Sequence, residues 1–99
     1  MDKRVKEIAD YYGRDRELIK LCEECGELTT AAAKFLVAPN DVVRNAISDN
    51  LVSELADVFV VCEQIKYLLG LEDRVQHVID YKLGRQIRRI EQDCLVNGD

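Results

Sequence analysis

Apolar residues recur every three or four positions along almost the whole chain, which is the pattern of amphipathic helices. The first stretch, "DKRVKEIADYYG", predicts a helix that Asp2 caps and Gly13 ends. A second helix is expected to begin with Asp15 as its cap and to end near Val37, because Pro39 stops it. No stretch alternates long enough to predict a strand, so the pattern favours an all-α protein.

Two more long helices are expected in the second half of the chain. Asp41 opens a short turn, and a third long helix is predicted from about residue 50 to Gly70. A fourth is predicted from about residue 72 to residue 92. The sequence contains no internal repeat and no linker, so residues 1–99 are expected to form a single domain, a bundle of about four helices.

The second and third predicted helices each carry an apolar stripe. On the second helix the stripe consists of Leu18, Leu21, Cys22, Cys25, Leu28, Ala32 and Leu36. On the third helix it consists of Leu51, Leu55, Val58, Cys62, Ile65 and Leu69. A zinc site or a redox pair at Cys22 and Cys25 would need further ligands or a preceding strand, and neither is evident. We interpret these two cysteines as small buried apolar residues, with thiol chemistry as the alternative, and His77 as a surface or satisfied residue.

Composition and charge narrow the class of protein. The chain has 99 residues, of which 47% are hydrophobic and 33% charged, as in a folded helical domain. Its net charge of −5 argues against nucleic-acid binding and against anionic membranes, and no apolar run approaches the roughly 18 residues of a membrane span. The N-terminal stretch lacks the apolar core of a signal peptide, so we expect a cytoplasmic protein with reduced thiols.

Four carboxylates suggest a metal site. Glu24 and Glu27 lie about 60° apart around the second helix, and Glu54 and Asp57 repeat the same spacing on the third. If these helices are neighbours, the two pairs face one another across a groove, where a divalent cation would offset their repulsion. Oxygen ligands alone favour Mg²⁺ or Mn²⁺ over zinc. The alternative is that each pair belongs to a solvated helix face.

A row of basic and polar residues on the fourth helix is a possible counterpart to the four carboxylates. Lys82, Gln86 and Arg89 lie at positions i, i+4 and i+7, in line with the apolar residues Val75, Val78 and Ile79. Such a row facing a metal site suits a substrate with several phosphates. A basic last turn that interacts with the helix dipole is the alternative. The sequence has no glycine-rich phosphate loop, so metal and side chains would hold the phosphates.

The segments "KLCEECGEL" and "SELADV" resemble the MazG-type all-α nucleoside triphosphate pyrophosphohydrolases, and the resemblance covers roughly residues 15–92. The family pattern is Glu-x-x-Glu on one helix and Glu-x-x-Asp on the next, followed by Lys, Asn and Arg on a later helix. The resemblance implies that metal is bound by Glu24, Glu27, Glu54 and Asp57 and substrate by Lys82, Gln86 and Arg89. Glu23 would be the general base. Gln86 stands where the family often has Asn. Lys20, one turn before the first pair, is a further candidate phosphate ligand.

The resemblance also implies an activity and an assembly. The family enzymes need magnesium and cleave nucleoside triphosphates between the α- and β-phosphates, which gives a nucleoside monophosphate and pyrophosphate and cleans the nucleotide pool. They form homodimers or homotetramers, and a chain this short gains from a partner subunit. Three alternatives remain open: a related phosphoribosyl-ATP pyrophosphohydrolase or dUTPase, a non-catalytic helical interaction module, and a metal-buffering bundle.

Overall fold

The structure, a computed structural model, describes residues 2–97, and this part of the chain forms four α-helices and no strand. They are α1 (Lys3–Tyr12), α2 (Arg14–Leu36), α3 (Asp41–Leu69) and α4 (Glu72–Asn97). The all-α class and the number of helices are therefore confirmed. The chain divides into two compact units, of which the first ends at Leu69 and holds α1 to α3, and the second begins at Gly70 and holds α4. That residues 1–99 form a single domain stays a prediction.

A single residue separates α1 from α2. Gly13 has φ 82° and ψ 170°, a conformation that is essentially restricted to glycine. Its N–H donates to the carbonyl of Ala9 at 2.8 Å, and its own carbonyl accepts from the N–H of Glu17 at 3.1 Å. Gly13 therefore ends α1 and begins α2, and the prediction that Asp15 caps α2 is wrong. Asp2 caps α1 as predicted, because its side chain accepts a backbone N–H in the first turn.

The third helix is longer than the sequence indicated. It begins at Asp41, so the predicted short turn before residue 50 is wrong. The Asn40 side chain accepts the N–H of Val43 at 3.0 Å, which caps the new helix directly after Pro39. Arg44 pairs with Asp41 at 2.6 Å within the first turn. No Gly or Pro interrupts the following residues, and the helix therefore runs for 29 residues.

The face of α2 that packs in the first unit is not the predicted one. The less exposed positions are Glu17, Leu21, Glu24, Leu28, Ala31 and Phe35. The exposed ones include most of the predicted stripe, namely Leu18, Cys22, Cys25, Ala32 and Leu36. The prediction that Cys22 and Cys25 are buried is therefore wrong. The observed face includes Phe35, the largest apolar residue of α2, at seven-residue steps from Leu28 and Leu21, and this row outweighs the smaller residues of the predicted stripe.

The predicted stripe of α3 is partly correct. Leu51, Val58 and Ile65 are half-buried as expected, but Leu55 and Leu69 are exposed. In the second unit, Val75 is half-buried, and the other two residues of the predicted apolar row, Val78 and Ile79, are exposed.

Few side chains of the described region are fully buried. The buried apolar residues are Ala9, Ala31 and Val61, and two polar residues, Glu17 and Gln64, are buried with them. Helix α1 is linked to α3 by the Tyr67 hydroxyl, which donates to a carboxylate oxygen of Asp10 at 2.9 Å. Within residues 2–97, none of the helices combines the length and the apolar character that crossing a bilayer requires.

Glu17 makes stability depend on pH. It is 1% exposed, and one of its carboxylate oxygens is buried without a hydrogen-bond partner among the described residues. Burial raises the pKa of this carboxyl above 4.5, and the nearby charge of Lys20 only partly opposes the shift. A carboxyl with a raised pKa stabilises the folded state below its unfolded pKa, and this contribution is lost as the pH rises through the folded value.

We therefore expect Glu17→Gln to raise the free energy of unfolding at pH 7 by about 1 kcal/mol and to change it little at pH 4. Denaturant unfolding at the two pH values measures the difference. The matched control is Glu7→Gln, at an exposed position of α1, which should leave both values unchanged. An equal effect of Glu17→Gln at both pH values would contradict the pKa assignment.

Candidate metal centre

Two neighbouring helices bring four carboxylates together. Glu24 and Glu27 come from α2, and Glu54 and Asp57 come from α3. One oxygen of each side chain can be chosen so that all four lie within 4.8 Å of one another. Residues three apart share a helix face, and because α2 packs against α3, the two acidic pairs meet. The convergence that the sequence predicted is therefore present in the first unit.

Two of these carboxylates have a buried oxygen without a hydrogen-bond partner among residues 2–97, although buried polar atoms normally have one. Glu24 and Glu54 are half-buried, and each has a buried oxygen with no hydrogen-bond partner in the part of the chain that the structure describes. Burial raises the pKa of Glu24, and the carboxylates of Glu27 and Asp57 raise it further. Burial and the same two neighbours also raise the pKa of Glu54. The cluster is therefore electrostatically unfavourable without a cation.

The donor set fits a hard divalent cation. The cluster offers oxygen ligands only, which suit Mg²⁺, Mn²⁺ or Ca²⁺ and not a zinc site built from Cys and His. Oxygens on opposite sides of an ion, each about 2.0–2.6 Å from it, stand about 4–5 Å apart, which matches the spread of the four ligand atoms. The two unpartnered oxygens of Glu24 and Glu54 would be the first to gain from such an ion.

A polar cleft of about 520 Å³ lies on one side of the cluster. Glu27 and Glu54 line it together with Glu23, the predicted general base, which is exposed. Lys34 and Asn50 also line this cleft, and sequence analysis missed both. The signal was available: Lys34 lies seven residues after Glu27, and Asn50 lies four before Glu54, so helical spacing puts each on the face of its motif.

A second cavity, of about 330 Å³, lies between α1, α2 and α3, and Glu24 and Asp57 stand at its edge. Its remaining walls combine apolar and polar side chains: Ile8, Tyr12, Lys20, Val60, Val61 and Gln64. Lys20, the predicted phosphate ligand, lies here with its ammonium nitrogen 6.0 Å from the centre of the Tyr12 ring. Gln64 was missed by sequence analysis, although it lies seven residues after Asp57.

The remaining predicted site residues lie in the second unit. Lys82, Gln86 and Arg89 are exposed on α4 with the helical spacing that the sequence indicated. Their contribution to a site with the four carboxylates stays a prediction.

Comparison with known proteins does not extend these observations. The chain matches no family model, and no curated protein and no solved structure is significantly similar to it. The resemblance to MazG-type enzymes therefore depends on the motif residues themselves, and membership of that family stays a prediction.

The cluster predicts that Glu54→Gln stabilises the protein without metal and reduces the stabilisation that metal gives. Glu54→Gln keeps the shape of the side chain and removes one of the mutually repelling charges, so we expect a higher melting temperature than wild type in chelator. Millimolar Mg²⁺ should stabilise wild type, by about 2.7 kcal/mol at 100 times the dissociation constant, and should stabilise the variant much less.

Thermal melts with and without Mg²⁺, together with calorimetric titration of the ion, measure both effects. Asp49→Asn, at an exposed position of the same helix outside the cluster, is the matched control and should behave as wild type. The metal assignment is lost if Mg²⁺ leaves the wild-type melt unchanged and no binding heat appears.

Proposed function

We propose that this chain is a Mg²⁺-dependent nucleoside triphosphate pyrophosphohydrolase, which cleaves the substrate between its α- and β-phosphates to a nucleoside monophosphate and pyrophosphate. The observation that carries the proposal is the group of four carboxylates within 4.8 Å, two of them with buried unpartnered oxygens. The polar cleft beside them adds an exposed carboxylate, Glu23, and a cation, Lys34. The motif resemblance supports the same reaction.

The acidic cluster explains why a cation is needed for this substrate. Phosphates and carboxylates repel each other, so four acids within 4.8 Å would exclude a triphosphate unless positive charge lay between them. Glu24, Glu27, Glu54 and Asp57 would hold Mg²⁺, with Mn²⁺ as a possible substitute. The ion supplies charge compensation for the phosphate oxygens and orientation of the phosphorus that is attacked.

Glu23 is the carboxylate best suited to act as general base. It lines the same cleft as Glu27 and Glu54 but does not belong to the four-carboxylate cluster, so it stays available for a proton. In the proposed step, Glu23 accepts a proton from a water molecule as the water oxygen bonds to the α-phosphorus. The bond from this phosphorus to the bridging oxygen breaks, the electron pair leaves with pyrophosphate, and Glu23 then returns its proton to solvent.

Basic and polar groups near the cluster suit a polyanionic substrate. Lys34 and Asn50 stand in the polar cleft, and Lys20 stands at the second cavity, so cations flank the four acids in both places. Each can contact a phosphate or a sugar oxygen. The resemblance assigns further phosphate contacts to the α4 row of Lys82, Gln86 and Arg89.

The proposal includes self-association and a cytoplasmic location. Only three apolar side chains of the described residues are fully buried, while the stripe of Leu18, Cys22, Cys25, Ala32 and Leu36 is exposed on α2. A second copy of the chain, in a homodimer or homotetramer, would cover such a stripe. The four cysteines are unpaired, which suits a reducing compartment, where the enzyme would remove unwanted nucleotides from the pool.

Pyrophosphate release from a panel of ribo- and deoxyribonucleoside triphosphates, with dUTP and phosphoribosyl-ATP included, tests the activity. We expect Mg²⁺-dependent release from at least one compound. Glu23→Gln should lower kcat by about 10²- to 10⁴-fold and leave Mg²⁺ affinity unchanged, because it removes only the base. Glu7→Gln should keep the full rate.

A full rate in Glu23→Gln would remove Glu23 from the mechanism. A panel in which no compound releases pyrophosphate would refute the enzyme and favour the non-catalytic interaction module.

Sedimentation at micromolar concentration tests self-association. We expect a mass of at least twice the 11.3 kDa of the chain. Ala32→Glu should shift the population towards monomer, because it puts an unpaired charge into the apolar stripe of α2. Ala46→Glu, an exposed alanine of α3 outside that stripe, is the matched control. A wild-type monomer that hydrolyses nucleotide would contradict the prediction.

A further inference from the structure

The cavity between α1, α2 and α3 has a side-chain amide on its wall, that of Gln64. Gln64 is 3% exposed and lines this cavity. Its side-chain amide forms no hydrogen bond with any group of residues 2–97. The amide atoms are not among the polar atoms of the described residues that are fully buried without a partner, so they stay accessible where Gln64 lines the cavity. A molecule in this cavity of about 330 Å³ can therefore form hydrogen bonds with the Gln64 amide.

The walls of the cavity define the chemistry of that molecule. Ile8, Val60 and Val61 present aliphatic surface, and Tyr12 adds an aromatic ring. Binding sites for small molecules usually combine such apolar walls with a few fixed polar groups. An alkyl chain would leave the Gln64 amide unsatisfied, and a bare sugar would need more polar partners than these walls offer. A flat heteroaromatic ring can pack its apolar faces against the walls and form hydrogen bonds with the amide through its edge.

The cavity and the polar cleft border different carboxylates of the acidic cluster. Glu24 and Asp57 stand at the edge of the cavity, whereas Glu27 and Glu54 line the polar cleft. A ligand in the cavity therefore reaches two of the four carboxylates, and its charged end lies beside them. Lys20, which also lines the cavity, can compensate negative charge there.

We propose that this cavity binds the nucleobase of the nucleotide substrate, and that the Gln64 amide binds the base edge; the inference rests on the proposed function. A carboxamide has a carbonyl acceptor and an N–H₂ donor side by side. Each nucleobase has an adjacent donor and acceptor on its Watson–Crick edge, so the amide can form two hydrogen bonds with any of them. Gln64 therefore recognises nucleobases as a class, and the walls select among them by size.

Equilibrium binding tests the inference without hydrolysis. The full chain, in Mg²⁺, is titrated calorimetrically with the common nucleoside monophosphates, with ribose 5-phosphate and with pyrophosphate. We expect at least one monophosphate to bind 10-fold or more tightly than ribose 5-phosphate, which lacks the base. Gln64→Leu, of similar size, should raise the dissociation constant of that monophosphate by about 10- to 100-fold, the range for a lost pair of hydrogen bonds to a base. Pyrophosphate affinity should stay unchanged.

Two further variants complete the test. Val60→Phe narrows the cavity from a position that is 50% exposed, so it should weaken monophosphate binding without unfolding the protein, and it decides the matter if Gln64→Leu does not fold. Gln92→Leu, an exposed glutamine of α4, should bind as wild type.

Two failures are distinguishable. If Mg²⁺ and pyrophosphate bind but the monophosphates bind no better than ribose 5-phosphate, or both cavity variants bind as wild type, the nucleobase assignment is overturned and the proposed function stands. If Mg²⁺ and every phosphate compound fail to bind, the proposed function is overturned, and the nucleobase assignment with it.

Discussion

The carboxylates at the packed surfaces of α2 and α3 repel one another, and the first unit folds only if other interactions offset this repulsion. Glu24 and Glu54 occupy half-buried positions there, and within the described chain neither forms an ion pair with a Lys or Arg. A protein selected for stability alone would place apolar residues at these positions. Leu21, Leu28 and Phe35 lie on the same face of α2 as Glu24, and their burial offsets the repulsion. The apolar row therefore sets the orientation of α2, and this orientation brings Glu24 into the interface with α3.

The sequence predicts the helices and the acidic cluster because both depend on local spacing. A 3.6-residue period places helices, and a three-residue interval puts two acids on one face whatever surrounds them. The orientation of α2 was not predictable in the same way, since the rows that contain Cys22 and Leu21 lie only one residue apart and are similarly apolar. The sequence does not predict the burial of Glu17, for a different reason. An acid in a first helical turn is ordinarily explained by the helix dipole and is expected in solvent.

The four carboxylates separate two clefts of opposite character. On one side the lining is polar and contains Lys34 and Asn50; on the other it combines aliphatic side chains and a tyrosine ring with Lys20 and the amide of Gln64. Lys34 and Gln64 look like ordinary surface residues in the sequence, because a polar residue on an amphipathic helix is normally solvated. Their seven-residue spacing from Glu27 and Asp57 places each on the face of an acidic motif, and the packing of the helices shows that these faces meet. The arrangement suits a molecule that is itself divided into a charged part and a flat apolar part.

The attachment of α1 has a consequence for dynamics. This helix has 10 residues, too few for stable helicity on its own, and its hydrogen bond from Tyr67 to Asp10 closes a loop of 57 residues. Contacts between α2 and α3 are closer in sequence, so α1 is expected to dock last during folding and to detach first in partial unfolding of the native state. Ile8 and Tyr12 of α1 form part of the cavity wall. Any molecule that occupies the cavity therefore also holds the N-terminal helix in place, and occupancy and local unfolding are thermodynamically linked.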